Sequence, residues 1–83
     1  MKIIRISGMI ILDDYEEICE YFGIPATCPR KIKAALSEAN GDEVEVEINS
    51  GGGHVFAGFE IFNLLKTYAG KVTVKIYSLA ASA

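Results

Sequence analysis

Two stretches carry residue types that could do chemistry. The first is Asn49-Ser50-Gly51-Gly52-Gly53. It follows an alternating apolar segment and precedes an apolar helical pattern. That places it at the carboxyl end of a strand, where α/β sheets hold their ligands. Three successive glycines let a ligand approach the backbone and let N–H groups converge on an anion. A phosphate cradle, an oxyanion hole and a tight turn with no ligand are the competing readings. The phosphate reading is weak. Gly53-His54-Val55-Phe56-Ala57-Gly58 has the glycine spacing of a P-loop, but Phe59 stands where its lysine belongs. A GxGxxG pattern from Gly51 lacks its third glycine, because Phe56 is there. The second stretch is Leu79-Ala80-Ala81-Ser82-Ala83. Small neighbours leave the Ser82 hydroxyl uncrowded and let a substrate carbonyl come close. Taken alone, Ser82 is better explained as a helix cap and Ser78 as a turn residue. The oxyanion reading of the glycines gains weight only with a nucleophile downstream.

His54 is the one histidine in the chain. The spacing puts it at the amino end of a helix, a poor place for the positive charge that a base acquires. It reads as a surface or rim residue. Asp13, Asp14, Glu16 and Glu17 read as a solvated helix face, with no metal site. Cys19 and Cys28 are not a CxxC pair and offer no metal-ligand spacing, so they read as reduced thiols. Phe56, Phe59, Phe62 and Tyr68 read as core or as a subunit contact.

The elements that must position these groups follow from periodicity. Residues 2–6 are β-branched and read as a strand that Gly8 breaks or bends. Residues 13–22 read as a helix, with Tyr15, Ile18, Cys19 and Phe22 at i, i+3, i+4, i+7 and Gly23 as its stop. Residues 25–28 read as a loop. Residues 29–39 read as a second helix that starts on Pro29, shows Ile32, Ala35, Leu36 and Ala39 on one face, and ends at Asn40-Gly41. Residues 43–48 alternate glutamate with β-branched residues, the period of a half-buried strand. The glycine stretch then reads as a tight loop. Residues 55–68 read as a helix apolar around most of its circumference, hence largely buried. Residues 71–77 alternate again. Strand, glycine loop, helix and strand make a βαβ unit, so 43–48 and 71–77 are expected to be parallel neighbours with the helix packed across them.

Composition bounds the function classes. The chain has 83 residues, of which 51% are hydrophobic and 23% charged, as in one small globular domain or part of a larger one. The net charge of -3 and the lack of a basic patch argue against a nucleic-acid partner. The apolar run at residues 9–12 is too short to cross a membrane or to serve as a secretory signal, so a cytoplasmic protein without membrane association is expected. The small, apolar final residues suggest an element that should continue, so the chain is expected to be the N-terminal part, 1–83, of a single larger domain.

With both stretches considered together, the order Asn49-Ser50-Gly51-Gly52-Gly53, helix, strand, Ala80-Ala81-Ser82 resembles the proteolytic subunit of the Clp protease. Members carry an Asn-Ser-Pro-Gly-Gly loop, and Gly51 stands here for the proline. The likeness is greatest to the Clp-type head-maturation proteases of phages and prophages. It extends to the acidic N-terminal helix, the Pro29 helix, Gly41-Asp42-Glu43 and Val55-Phe56-Ala57-Gly58. The resemblance implies a crotonase-like α/β fold, a ββα superhelix, and serine endopeptidase chemistry by a Ser-His-Asp triad with no cofactor or metal. It implies Ser82 as nucleophile, the N–H groups of Gly53 and Ala83 as the oxyanion hole, and Gly51 and Gly52 as substrate-binding backbone. The family's histidine and aspartate come after the nucleophile, so residues 1–83 alone are expected to be inactive. It further implies a homo-oligomer acting on peptide or protein substrates, with phage capsid or scaffold proteins among them. Rival readings are a crotonase-type CoA enzyme, which needs no nucleophilic serine, a signal-peptide peptidase with a lysine base, and a non-catalytic assembly module.

Overall fold

The computed structural model describes residues 1–77. Ser78, Ser82 and Ala83 lie outside the described residues. Four parallel strands form one sheet in the order β2-β1-β3-β4, with β1 at Lys2–Ile10, β2 at Ala26–Thr27, β3 at Val44–Gly53 and β4 at Val72–Ile76. A 3-10 turn at Asp13–Tyr15 leads into α1 (Glu16–Tyr21). Helix α2 spans Pro29–Ala39 and α3 spans Val55–Lys66. The expected parallel pairing holds: Val44, Val46 and Ile48 lie opposite Val72, Val74 and Ile76.

The period-two pattern decides which face is core. Ile4 and Ile6 of β1 and Val44 and Val46 of β3 point to one side and are buried. Onto them pack Ile32, Leu36 and Ala39 of α2 and Ala57 and Ile61 of α3. Alternate residues form the other face, where Arg5 pairs with Glu47 (3.2 Å) and Lys75 with Glu45 (3.2 Å). Helix α2 starts with Pro29 in the first turn, where its missing N–H costs nothing. It stops at Asn40, whose left-handed backbone (φ 50°) turns its N–H back to the Leu36 carbonyl. The Tyr68 hydroxyl donates to the Asp42 carbonyl (2.6 Å) and ties the end of α3 to the turn before β3.

Four expectations need correction. Strand β1 does not end near Gly8 but runs on to Ile10. The span 25–28 holds a short strand, β2, because β1 continues far enough to pair with it through Met9 and Ile10. The helix expected at 13–22 opens as a 3-10 turn, and of its apolar positions only Cys19 is buried, while Tyr15, Ile18 and Phe22 are exposed. Helix α3 is not largely buried. Only Ala57 and Ile61 are, because sheet and α2 cover one side of it; Phe56, Phe59 and Phe62 are exposed, so they are not core of the described residues. Tyr68 is half-buried against the core.

Candidate functional site

The glycine stretch is a strand and not a turn. Met9 lies opposite Gly52 and Ile10 opposite Gly53, so β3 keeps its pairing with β1 to the last glycine. The register slips on the way. Two steps of β1, from Ser7 to Met9, span three steps of β3, from Asn49 to Gly52. The extra residue makes a bulge in β3, a device that bends a strand and re-aims its groups.

Two buried hydroxyls hold the bulge. Ser50, 2% exposed, donates from Oγ to the Gly8 carbonyl (2.6 Å) and accepts from the Gly52 N–H (3.1 Å). Thr27 Oγ1 donates to the Ser7 carbonyl (2.8 Å) and accepts from the Ser7 N–H (3.1 Å). Sequence reasoning passed over both as loop residues. Ser50 carried one signal: a polar residue in phase with the inward-facing Val44, Val46 and Ile48. Ser50→Ala would leave the buried Gly52 N–H without its acceptor, which typically costs about 1–3 kcal/mol. That loss is expected in urea unfolding, and a change under about 0.5 kcal/mol, within the range of ordinary surface substitutions, would show that Ser50 is no clamp.

Close approach dictates two glycines. A Cβ on Gly53 would lie 2.2 Å from the Ile10 carbonyl oxygen, and Gly53 has φ 156°. A Cβ on Gly8, at φ 71°, would lie 2.2 Å from the Pro25 carbonyl oxygen. The strands on either side are thus too near for a side chain. The His54 N–H donates to the Ile10 carbonyl (2.9 Å), toward β1. Successive amides of an extended chain alternate in direction, so the Gly53 N–H is directed away from β1.

His54 caps α3. Its Nδ1 accepts from the Ala57 N–H at 3.4 Å, and its ring lies beside Phe56. It is exposed at the rim, as its position in sequence implied. The acidic cluster splits. Asp13 Oδ1 accepts from the Arg30 N–H (2.8 Å), and Glu16 pairs with the Arg30 guanidinium (2.8 Å), while Asp14 and Glu17 have no such role in the described structure. The Asp13–Glu16 clasp fixes the start of α2, and Arg30 was not foreseen. Among the described residues no cluster of three His, Cys, Asp or Glu is placed to hold a metal ion. Cys19 and Cys28 are free and buried in one small cluster with Ile11. Burial pushes the Cys28 thiol up from its ordinary pKa, against the Lys31 backbone amide, which lowers it.

Of the residues singled out in sequence, Gly51, Gly52 and Gly53 stand together at the carboxyl end of β3. Ser82 and Ala83 lie outside the described residues. Strand β4, which leads toward Ser82, runs parallel to β3 and pairs with it as far as Ile48 and Ile76. The Clp protease family model matches residues 26–83, from β2 through α2, the glycine strand, α3 and β4 to the last residue.

The chain belongs to the Clp protease family.

Membership brings with it a hydrolase of the serine-peptidase type, with protein substrates and oligomeric assembly as the family's habit. No curated protein matches the chain. The family match starts at Ala26, after β1 and α1. Even so, β1 supplies the partner of the glycine strand and the Gly8 carbonyl that Ser50 grips. In this Clp protease, then, residues before the matched region shape the matched region's glycines.

Proposed function

We propose that this chain carries the nucleophile and oxyanion hole of a Clp-type serine endopeptidase with a crotonase-like superhelical fold. Ser82 attacks the peptide carbonyl. The N–H groups of Gly53 and Ala83 hold the oxyanion, and Gly51 binds substrate backbone; Gly52, expected beside it, is buried with its N–H on Ser50 Oγ and serves the bulge instead. A histidine and an aspartate from later in the domain complete the triad.

The observation that carries this reading is the bulged glycine strand. The alternation of amides along β3 directs its Gly53 N–H away from β1, and β4, the strand before Ser82 in the sequence, lies parallel beside β3. A rigid N–H donor aimed at developing negative charge is the feature that acyl transfer needs, worth about 3 kcal/mol of barrier per donor. The resemblance to head-maturation proteases makes capsid or scaffold proteins of a phage prohead the proposed substrates, cleaved in the cytoplasm by a homo-oligomer. The exposed Phe56, Phe59 and Phe62 on α3 are consistent with subunit contacts.

A fluorophosphonate probe tests the reading. A longer chain bearing the family's histidine and aspartate is expected to be labelled at Ser82, and Ser82→Ala to abolish the label. Residues 1–83 alone are expected to stay unlabelled, because a serine hydroxyl needs an adjacent base and the Nδ1 of the one histidine is taken by the Ala57 N–H. Labelling of residues 1–83 that depended on His54 would overturn this assignment of the base.

A further inference from the structure

An oxyanion donor must stay aimed while charge develops, so that no reorganisation is needed at the moment of reaction. Residues 51–53 have no side chains of their own to hold them in place. Glycine is also the residue whose backbone is least restrained, so the aim has to come from a neighbour.

The peptide that carries the donor joins Gly52 to Gly53, and it is trans. Its N–H and C=O therefore point in opposite directions. The Ser50 hydroxyl oxygen lies 3.5 Å from the Gly52 carbonyl oxygen, so this carbonyl is turned toward Ser50 and the Gly53 N–H emerges on the opposite side. The flanking peptides are tied as well. The Gly52 N–H ends on Ser50 Oγ (3.1 Å), and the His54 N–H ends on the Ile10 carbonyl (2.9 Å). Of these ties, only those to Ser50 come from a side chain.

Ser50 is itself anchored. Its proton goes to the Gly8 carbonyl at 2.6 Å, the shorter of its two carbonyl contacts. That donation makes its oxygen a better acceptor for the Gly52 N–H. Gly8 is fixed in turn by its neighbours, since the Met9 N–H donates to the Pro25 carbonyl (3.0 Å) and a Cβ on Gly8 would meet the same carbonyl. At the register slip, then, a buried hydroxyl stands between the Gly52 N–H and the Gly8 carbonyl and joins the two strands there.

We propose that Ser50 is a positioning residue for the peptidase reaction: its buried hydroxyl aims the Gly52–Gly53 peptide so that the Gly53 N–H meets the oxyanion. This rests on the reading of Gly53 as an oxyanion donor. Ser50 touches neither the substrate nor the reacting atoms and acts through Gly53. Its effect belongs to the transition state, because only there does the carbonyl oxygen carry the charge that a misaimed N–H fails to meet.

Steady-state rates of the complete endopeptidase on a peptide substrate test the role, with a urea transition recorded for each variant so that only folded protein is compared. Ser50→Ala is expected to lower kcat by about 10–100-fold and to change KM by less than about threefold, since misplacing a catalytic group by about 1 Å costs about 10²-fold. Ser50→Cys keeps the site filled with a group that is a weak donor and a weak acceptor. It decides the matter if Ser50→Ala does not fold, and its kcat is expected to fall by about tenfold or more with KM again unchanged. Tyr68→Phe removes a bond of the same kind and length, from a hydroxyl to the Asp42 carbonyl (2.6 Å), before the amino end of β3. It is expected to lose stability and to keep kcat within about twofold, which separates aim from stability.

A kcat near that of the wild type in the Ser50 variants overturns the positioning role. A loss confined to KM overturns it too, by placing Ser50 in substrate binding, and so does an equal fall in Tyr68→Phe, by tracing the loss to stability. In all three cases the wild type still turns over substrate and is labelled at Ser82, so the peptidase reading stands. A wild type that does neither overturns that reading, and the role of Ser50 with it.

Discussion

Replacing Gly53 by alanine is expected to remove about 3 kcal/mol or more of folding stability, measured by urea unfolding. Two effects add. The added Cβ would sit 2.2 Å from the Ile10 carbonyl oxygen and 2.7 Å from the Ile10 nitrogen, both of them backbone atoms that no rotamer change can move aside. At φ 156° an L-residue is also strained, by about 1–3 kcal/mol. Relief requires β1 and β3 to part at their carboxyl ends, which breaks the His54 bond to Ile10 and loosens the Ser50 clamp on Gly8. A small domain has about 5 kcal/mol to lose, so the variant should be partly unfolded at moderate urea. Gly51→Ala is the control, because a Cβ there meets nothing within 4 Å. It is expected to change stability by less than about 1 kcal/mol. Equal effects of the two substitutions would show that the close approach of the strands is not what requires glycine at 53.

The same contact explains why the candidate site was only half legible in sequence. Strands β3 and β4 announce themselves, because alternation of Glu43, Glu45 and Glu47 with Val44, Val46 and Ile48 is a local signal. Helix α2 does too, through Pro29 and the Asn40 stop. The glycines do not. Glycine is depleted in strands, so three in a row read as a turn. What makes them a strand is pairing with Met9 and Ile10, and the Ser50 bond that spans 42 residues to Gly8. No window of local sequence contains that information.

Burial was misjudged for a related reason. Periodicity tells that Tyr15, Ile18 and Phe22 share a helical face, and that α3 is apolar on most sides. It does not tell whether anything packs against those faces. Within the described residues the sheet and α2 bury only Ala57 and Ile61 of α3, with Leu64 and Leu65 half-buried beside them, and α1 turns only Cys19 inward. Ser82, by contrast, reads in isolation as a helix cap, and it was singled out as nucleophile only by the resemblance to the Clp protease family. The family match across 26–83 runs through both stretches.

Ser82→Ala is expected to lower the turnover number of the complete endopeptidase by about 10⁴–10⁶, with KM changed by less than about threefold. The asymmetry follows from what the hydroxyl does. In the ground state Ser82 would contribute one small group to a surface whose affinity for peptide comes from the β3 backbone and side-chain subsites. In the transition state it becomes the atom bonded to the carbonyl carbon. Removing it leaves a binding site and an oxyanion hole that can act only on an attacking water, a residue of catalysis about 10³–10⁴ above the uncatalysed reaction. Initial rates on a peptide substrate, with Ser78→Ala as the control for a serine outside the machinery, measure the effect. Ser78→Ala is expected to retain full turnover. Loss of activity in Ser78→Ala with retention in Ser82→Ala would move the nucleophile to the other serine. A joint loss without unfolding would mean that residues 78–82 act as one structural unit, and the nucleophile would then have to be identified by the position of the fluorophosphonate adduct.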